Sequence, residues 1–328
     1  MKPIRIAVIG SGAFGRHHVR VLRSMDRVDL VGLWDVNQER AEALAAEHDC
    51  QTFPNFNALT GRVDAAVVAT PTSTHFEIAR DLLEAGIDVL VEKPIAQSSA
   101  DGQALAELAA RSDRILQVGH LERFNPAVIA LERAATIPLF FEVHRLSVFS
   151  PRSLDIDVVL DLMIHDLDIV LALTGEEPDE IRAAGISVLS HRVDIANVRL
   201  AFPSGCIANL TASRVSTETV RKLRLFQPGQ YISLDYKRQD ALAFSVDAAS
   251  KSPSGTPGGL PQIGFNALPV ERAEPLQLEL ESFIAVVRSR SRPRVDAFQA
   301  TNALRVAEAI LGKIREHADL VTQTLQRA

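Results

Sequence analysis

Three glycines near the start of the chain, Gly10, Gly12 and Gly15, have the spacing G-x-G-x-x-G, with Ala13 and Phe14 between the last two. They follow a short apolar run that is typical of a parallel strand buried on both faces, and they precede a segment with helical periodicity. In that context the first glycine permits a tight turn, the second lets the backbone approach a pyrophosphate, and the third lets helix and strand pack closely. The helix also directs its partly positive N-terminus at the anion. An ordinary strand–helix turn is the alternative, but the whole pattern favours a dinucleotide-binding site at these five residues.

A carboxylate follows the next apolar run of the chain. Val28–Trp34 has strand character and ends in Asp35, which lies 20 residues after Gly15. From this position a carboxylate accepts hydrogen bonds from an adenosine ribose, and it repels a 2′-phosphate. Arg40, about one helical turn further on, weakens that repulsion. We therefore predict NAD as the cofactor, with NADP less favoured.

The pattern of strands and helices indicates two domains. Buried strands and amphipathic helices alternate up to about residue 120, which is typical of a doubly wound parallel sheet. From about Phe140, strands follow one another directly, apart from a long helix predicted over residues 158–173, which favours a mostly antiparallel open sheet. We predict an α/β protein with a Rossmann domain over residues 1–120 and an α/β domain with a large, mostly antiparallel open sheet over residues 121–328. Two C-terminal helices, at residues 276–287 and 297–315, are free to pack back on the Rossmann domain.

Composition argues against several classes of function. The chain has 328 residues, a net charge of −6 and 47% hydrophobic residues, so neither nucleic acid nor an anionic membrane surface is expected as a partner. No apolar run approaches the roughly 20 residues that span a bilayer, and the N-terminal segment lacks the features of a signal peptide. Only Cys50 and Cys206 occur, too few for a disulfide framework or a zinc site. We therefore expect a cytoplasmic protein.

Lys93 is the first candidate for chemistry. A predicted strand leads into Glu92, Lys93 and Pro94, at the carboxyl edge of the sheet, where doubly wound folds bind their ligands. A lysine beside a nicotinamide ring is able to hydrogen-bond the hydroxyl that is oxidised and to share its proton. A surface lysine beside a turn proline is the alternative. The Lys93–Pro94 bond is also a candidate for the cis form.

Asp161 and His165 form a second candidate group. They are four residues apart, hence on one face of the predicted helix, and their neighbours in sequence are apolar, which disfavours an ordinary surface pair. A histidine that titrates near neutral pH suits the general base of an alcohol oxidation. The two residues would also suit a metal, but no third ligand is apparent in the sequence, so we expect no metal.

Five motifs occur together in the order and spacing of one family. They are Gly10-Ser-Gly-Ala-Phe-Gly15, Thr70-Pro71 with His75, Glu92-Lys93-Pro94, Gly119-His-Leu-Glu-Arg123-Phe-Asn-Pro126 and Asp161-x-x-x-His165. Over essentially its whole length, the chain resembles the glucose–fructose oxidoreductase/inositol dehydrogenase/MocA family. One departure is visible: many members carry glycines just before the Asp-x-x-x-His pair, where this chain has Asp155-Ile-Asp157. The departure leaves the catalytic residues intact and affects the expected shape of the substrate pocket.

The resemblance implies an NAD-binding Rossmann domain followed by an open-sheet domain that is often used for oligomer contacts, hence a homodimer or a homotetramer. It implies a catalytic group of Lys93, Asp161 and His165 in which the histidine is the acid/base. It also implies that the residues of the second and third motifs line the cofactor site, namely Thr70, Pro71, His75, Glu92 and Lys93.

Two segments, residues 119–126 and 152–168, are similar to those of the family members that oxidise the 3-hydroxyl of UDP-N-acetylglucosamine. Those members pass the ketone to an aminotransferase on the way to a diamino-sugar lipid A. The resemblance therefore implies a nucleotide-sugar substrate and functional coupling to an aminotransferase. Arg123, Asn125, Arg145 and Arg152 are near the predicted site in sequence, and arginines there suit a UDP pyrophosphate. A solvated surface residue is the alternative for each arginine.

Other activities of the family stay open. A dehydrogenase of another sugar or an inositol-type polyol, and a glycosidase that uses NAD without consuming it, fit the same motifs. An inactive NAD sensor is disfavoured because Lys93, Asp161 and His165 are all present.

Overall fold

The computed structural model describes residues 2–150, 156–247 and 262–327. The chain divides into two compact units. The first unit comprises the residues up to Phe124 together with Glu274–Arg305, and the second comprises Asn125–Ala273 and the residues from Val306 onward.

Strands and helices cover most of the described residues. The strands are β1 (Ile4–Ile9), β2 (Val28–Trp34), β3 (Gln51–Thr52), β4 (Ala65–Val68), β5 (Asp88–Glu92), β6 (Leu116–Gly119), β7 (Phe140–Val148), β8 (Glu180–Ile186), β9 (Ile195–Ala201), β10 (Ile207–Ser216), β11 (Val220–Gln227), β12 (Gln230–Asp235), β13 (Asp240–Asp247) and β14 (Gln262–Ala267). The helices are α1 (Ala13–Arg23), α2 (Gln38–Glu47), α3 (His75–Glu84), α4 (Ser99–Arg111), α5 (Pro126–Ala134), α6 (Ile164–Thr174), α7 (Pro275–Ser289) and α8 (Ala297–Arg327).

The first unit is built on a parallel six-stranded sheet in the order β3-β2-β1-β4-β5-β6. Every residue of β4 and the last four of β1 are buried, which explains why both read as continuous apolar runs. The direction in which successive strands are added to the sheet reverses between β1 and β4. Such a reversal leaves a crevice at the carboxyl ends of the two strands, where open α/β sheets bind ligands. Helix α7 belongs to this unit, because Leu280 and Phe283 share one buried cluster with Val19 and Leu22 of α1.

The second unit is built on an eight-stranded sheet in the order β14-β13-β12-β11-β7-β10-β9-β8. All neighbouring strands are antiparallel except β7 and β10, which run parallel. A parallel pair requires a crossover, and the chain between β7 and β10 supplies it with α6 and the hairpin of β8 and β9. Buried residues alternate with partly exposed ones along β7 and β12, so one face of the sheet is packed and the other is open.

The structure confirms the predicted fold class, with three differences in detail. The predicted helix at 158–173 begins as a π-helical turn, Val159–Met163, before α6. Strand β14 and helix α5 were not predicted, although Asn125 followed by Pro126 is a usual helix-start signal.

Among the described helices, none is both long and apolar enough to cross a bilayer.

Candidate functional site

The glycine turn after β1 has the geometry that its sequence demands. Gly10 has φ +100°, and a Cβ there would lie 2.4 Å from the carbonyl oxygen of Ala69. A Cβ on Gly15 would lie 1.9 Å from the carbonyl oxygen of Gly10, so no other residue fits at either position. Gly12 differs, because no atom lies within 4 Å of the Cβ position among the described residues. The space over Gly12 is therefore open to a ligand.

The N-terminus of α1 faces that space with free hydrogen-bonding capacity. Gly12 is its N-cap, and in this described segment neither a capping side chain nor an acidic residue lies in the first turn. The first N–H groups of such a helix have no intrahelical partner and favour an anion. Phe14 in the same turn is 52% exposed. The turn thus fits a dinucleotide pyrophosphate in both shape and donor set.

Asp35 connects the glycine turn to the end of β2. It accepts hydrogen bonds from the Ser11 backbone N–H (2.6 Å), the Ser11 hydroxyl (2.8 Å) and the Asn37 backbone N–H (2.8 Å). The Nη2 atom of Arg40 lies 2.9 Å from both of its oxygens. Burial alone raises the pKa of Asp35, but these hydrogen bonds outweigh it and hold the pKa below its ordinary value. Asp35 is therefore an ionised acceptor at the edge of the site.

His75 ties together the segments that follow β4 and β5. It is buried, with Nδ1 2.9 Å from the carbonyl oxygen of Pro94 and Nε2 2.9 Å from that of Thr70. Burial lowers the pKa of His75, and the two carbonyl contacts act in the opposite direction. The Lys93–Pro94 peptide bond is cis, and Lys93 itself is half-buried. His75 therefore fixes the two segments from inside rather than from the surface, while Pro71 of the same motif is exposed.

Glu92 contacts both the backbone of Lys93 and the side chain of His18. One oxygen, Oε1, lies 2.7 Å from Nε2 of His18, and the other, Oε2, accepts the Lys93 backbone N–H at 3.3 Å. Burial raises the pKa of Glu92, but the hydrogen bond with His18 outweighs it and the pKa lies below its ordinary value. Sequence reasoning did not identify His18. Its position on the same face of α1 as the buried Leu22 was the available signal.

Asp161 and His165 lie in the second unit, at the start of α6. Asp161 belongs to the π-helical turn and His165 to the first turn of α6, and both are half-buried. π-helical turns are rare and frequent at functional sites. The chain leading into the turn is fixed, because the Val193 backbone N–H donates to Asp157 Oδ1 at 2.9 Å and the Val158 backbone N–H donates to the Val193 carbonyl.

A buried ion pair next to His165 was not expected from the sequence. Arg145 donates from Nε and Nη2 to the two oxygens of Asp166, at 2.6 and 2.9 Å. The Tyr236 hydroxyl donates to the same carboxylate at 2.9 Å, and its ring centre lies 4.8 Å from the Arg145 guanidinium. All three residues are buried. This arrangement favours a role for Arg145 in holding α6 over a direct contact with a pyrophosphate.

The remaining predicted substrate residues have varied surroundings. Arg123 is buried in a short helical turn, Leu121–Phe124, of the first unit. Asn125 begins the second unit, where Oδ1 accepts the Ala127 backbone N–H at 3.1 Å and Nδ2 donates to the Tyr236 carbonyl at 3.0 Å. Arg152 lies outside the described residues.

The parallel sheet, the glycine turn and the ionised Asp35 define the class of dinucleotide-binding Rossmann proteins. Residues 4–120 match the family described as "Oxidoreductase family, NAD-binding Rossmann fold", and residues 144–226 match the GFO/IDH/MocA C-terminal domain. The chain belongs to the GFO/IDH/MocA family of oxidoreductases, as its motifs predicted, and its cofactor is a nicotinamide dinucleotide.

Relatives with assigned activities span nearly the whole chain. A UDP-N-acetylglucosamine 3-dehydrogenase of Acidithiobacillus ferrooxidans is 36% identical over 93% of this chain and 95% of that protein. A crystal structure under the same name and from the same organism has a TM-score of 0.88 at 34% identity, covering 96% of this chain and 98% of its own. A scyllo-inositol 2-dehydrogenase (NAD(+)) of Bacillus subtilis is 27% identical over 95% of this chain and 94% of that protein.

Proposed function

We propose that the protein oxidises the 3-hydroxyl of UDP-N-acetylglucosamine with NAD⁺ and forms the UDP-3-keto sugar. The observation that carries the substrate is the 36% identity over 93% of the chain to a dehydrogenase of that name. The motif spellings at residues 119–126 and 152–168 support the same assignment.

The preference for NAD over NADP rests on Asp35. Its carboxylate is ionised and lies at the end of β2, where it is able to accept hydrogen bonds from the ribose hydroxyls. Arg40 occupies both of its oxygens with a side chain that is 47% exposed, so the guanidinium is able to swing away and leave the carboxylate to the ribose. Bound NAD⁺ supplies the hydride acceptor. The glycine turn and the N-terminus of α1 hold its pyrophosphate.

Three residues are assigned to the removal of the hydroxyl proton and the stabilisation of the reacting oxygen. His165 takes the proton of the 3-hydroxyl as the C3–H bond breaks and the C=O bond forms. Lys93 hydrogen-bonds the same oxygen and stabilises its developing negative charge. Asp161, one turn before His165, orients the sugar or the imidazole. These roles follow the family motif, residue by residue.

Cofactor binding and substrate binding are assigned to different parts of the chain. We assign cofactor binding to residues 1–120 and substrate binding and oligomerisation to residues 121–328. Arg123 and Arg152 are proposed to contact the UDP pyrophosphate, while Arg145 and Asn125 shape the second unit through Asp166 and Tyr236.

The open sheet face supports a homo-oligomer, a homodimer or a homotetramer. Five aromatic rings form a continuous row across five neighbouring strands, with ring centres 4.4 to 5.7 Å apart. They are Phe140, Phe226, Tyr231, Phe244 and Phe265. Phe265 is 70% exposed, and a row of this kind is typical of a surface that another sheet covers.

A coupled assay tests the proposed function. Oxidation of an alcohol by NAD⁺ is unfavourable at neutral pH, so an aminotransferase and glutamate should be present to remove the ketone, as the proposed coupling in lipid A biosynthesis requires. We expect NADH formation with UDP-N-acetylglucosamine and little with UDP-glucose or myo-inositol. Preference for myo-inositol would favour the inositol-type activity of relatives such as the Bacillus subtilis protein and would contradict the assigned substrate.

A further inference from the structure

Glu279 is a carboxylic acid in the core of the first unit. It is 0% exposed, on the face of α7 that also carries the buried Leu276, Leu280 and Phe283. Among the described residues neither of its carboxyl oxygens has a hydrogen-bond partner. An ionised carboxylate in such a place is costly unless a positive charge compensates for it.

Its nearest titratable neighbours are a histidine and a second carboxylic acid. One ligand atom each of His18, Glu92 and Glu279 lie within 4.8 Å of one another, and all three residues are buried. Glu92 is the ionised member, because it takes the hydrogen bond of His18 and that of the Lys93 backbone. Gln117 does not compensate for a second charge, since its Nε2 donates to the backbone carbonyl of Glu279 at 3.2 Å.

The surroundings supply few cations. The charged and titratable groups near the cluster in the chain include His18 on α1, His75 on α3, Glu92 and Lys93 at the end of β5, His120 after β6, and Glu122 and Arg123 on the turn Leu121–Phe124. Arg20 of α1 pairs instead with Glu274 on the protein surface. Lys93 acts on Glu92, whereas the charge that acts on Glu279 is that of Glu92.

Either a proton or a metal ion would neutralise the second carboxyl group, and one distance decides between them. The His18 Nε2 to Glu92 Oε1 distance is 2.7 Å, which is a hydrogen bond. Two ligands of a tetrahedral zinc ion lie roughly 3.3 Å apart, since each is about 2.0–2.1 Å from the metal. The His18–Glu92 distance therefore fits a hydrogen bond and is too short for two ligands of one zinc ion.

We propose that Glu279 is protonated in the native protein. The two buried carboxyl groups then carry a single negative charge, located on Glu92, which accepts the Lys93 backbone N–H. Glu279 is a positioning residue: it acts on Glu92, which holds the backbone of Lys93. This functional part rests on the role proposed for Lys93, whereas the protonation does not.

The electrostatics agree with the geometry. Burial, and after it the charge of Glu92, raise the pKa of Glu279 well above its ordinary value. A group with a raised pKa in the folded state stabilises the protein below its unfolded pKa of about 4.3, and this contribution is lost as the pH rises through the folded pKa. The wild type should therefore lose stability as the pH rises from about 4.3 toward the folded pKa, because Glu279 ionises in the unfolded state and stays protonated in the folded state.

Infrared difference spectroscopy tests the protonation directly. The carbonyl stretching band of a buried, protonated carboxylic acid should be present in the wild type at neutral pH. It should be absent from Glu279→Gln, and from Glu279→Leu as a second variant should the first fail to fold. Absence of the band from the wild type would overturn the proposal. So would stoichiometric zinc that binds the wild type, measured with zinc alone, and that is lost in Glu279→Gln.

Stability and activity measurements separate the two parts of the proposal. Glutamine mimics the neutral acid, so Glu279→Gln should match the wild type near pH 4 and become increasingly the more stable protein as the pH rises above the unfolded pKa of about 4.3. A loss in Glu279→Gln that is the same at every pH would overturn the protonation. With a substrate in hand, the alkaline decline of kcat should move to higher pH in Glu279→Gln while the KM for NAD⁺ is unchanged. An unmoved decline with the infrared band present would overturn only the positioning role.

Discussion

Asp35 shows how much one carboxylate does in this fold. It fixes the glycine turn through both donors of Ser11, fixes the start of α2 through Asn37, and keeps Arg40 close. The sequence predicted Asp35 from its distance to Gly15. It did not predict that the carboxylate is already paired, because the direction of a long arginine side chain is not encoded in spacing.

Replacing Asp35 should change cofactor choice. We expect Asp35→Ala to weaken NAD⁺ binding by about tenfold or more, since hydrogen bonds to a charged group contribute about 1.5–3 kcal/mol each. NADP⁺ binding should weaken less, because the repulsion of the 2′-phosphate disappears. Titration calorimetry with both cofactors measures the difference.

Arg40→Ala is the matched control. It leaves Asp35 in place and removes the cation that would meet a 2′-phosphate, so NADP⁺ binding should weaken while NAD⁺ binding is nearly unchanged. Much tighter binding of NADP⁺ than of NAD⁺ by the wild type would contradict the assignment of Asp35.

The catalytic assignments make a second prediction at this scale. His165→Ala should lower kcat by roughly 10²–10⁴-fold, the usual contribution of a general base. Lys93→Ala should lower it by roughly 10²–10³-fold through lost electrostatic stabilisation. Both variants should still bind NAD⁺. The exposed His191 and Lys222, changed to alanine, provide controls of the same residue types, and near-normal turnover in either catalytic variant would remove that residue from the mechanism.

Among the elements, the turn between β8 and β9 depends on a single buried side chain. Asp194 accepts three backbone N–H groups, those of Val188, Leu189 and Ser190, at 2.7 to 2.9 Å. It also pairs with the buried Arg214, whose Nε lies 2.8 Å from Oδ1. Burial alone raises the pKa of Asp194, but these bonds outweigh it and the pKa lies far below its ordinary value.

Asp194→Asn should therefore destabilise the protein by about 3–5 kcal/mol at neutral pH, because it removes the carboxylate that pairs with the buried Arg214. A carboxylate with a lowered folded pKa stabilises the protein above its unfolded pKa of about 3.9 and loses that effect as the pH falls. The difference between wild type and variant should thus shrink in acid. Denaturant unfolding over a pH series measures it.

The exposed pair of Glu180 and Arg182 gives a control for that series. Glu180→Gln should change the free energy of unfolding by less than about 1 kcal/mol. A difference between wild type and Asp194→Asn that grows in acid would contradict the role of Asp194.

Elements were predictable from the sequence where the pattern is local. The buried strands β1 and β4 read directly as apolar runs, and Gly175 ends α6 in the left-handed conformation that glycine favours. The π-helical turn at Asp161 was not readable, because its extra residue leaves the apolar pattern of a helix almost unchanged. The parallel pairing of β7 with β10 was not readable either, since it depends on which distant strands meet.

For the whole molecule, the aromatic row on the open sheet makes a prediction about assembly. Phe244 is the fourth of its five rings, 4.4 Å from the Tyr231 ring and 5.1 Å from that of Phe265. If the proposed oligomer forms through this surface, Phe244→Arg should be monomeric in light-scattering chromatography, because a charge within an apolar interface is costly to bury. Phe298→Arg, an exposed phenylalanine of α8 outside the sheet, should leave the oligomer intact, and an unchanged mass for Phe244→Arg would contradict the proposed surface.

The candidate catalytic residues were predicted from motifs, whereas the buried cluster next to Lys93 was not. Lys93 and His165 were found because each lies in a recognisable motif. His18, Glu92 and Glu279 form one cluster although α7 is far from α1 in the chain, and a single sequence does not show which distant residues meet. An acid within the apolar stripe of α7, between Leu276 and Leu280, was the one local sign of it.

Isotope transfer from the sugar tests the central claim most directly. UDP-N-acetylglucosamine that carries deuterium at C3 is incubated with the enzyme and NAD⁺ in the coupled system, and the reduced cofactor and the sugar are analysed by mass spectrometry. We predict that the deuterium appears in the reduced cofactor and that the sugar product carries at C3 the amine that the aminotransferase forms from the carbonyl. Reduced cofactor without deuterium, or release of UDP from the sugar with no net reduction of NAD⁺, would contradict the account.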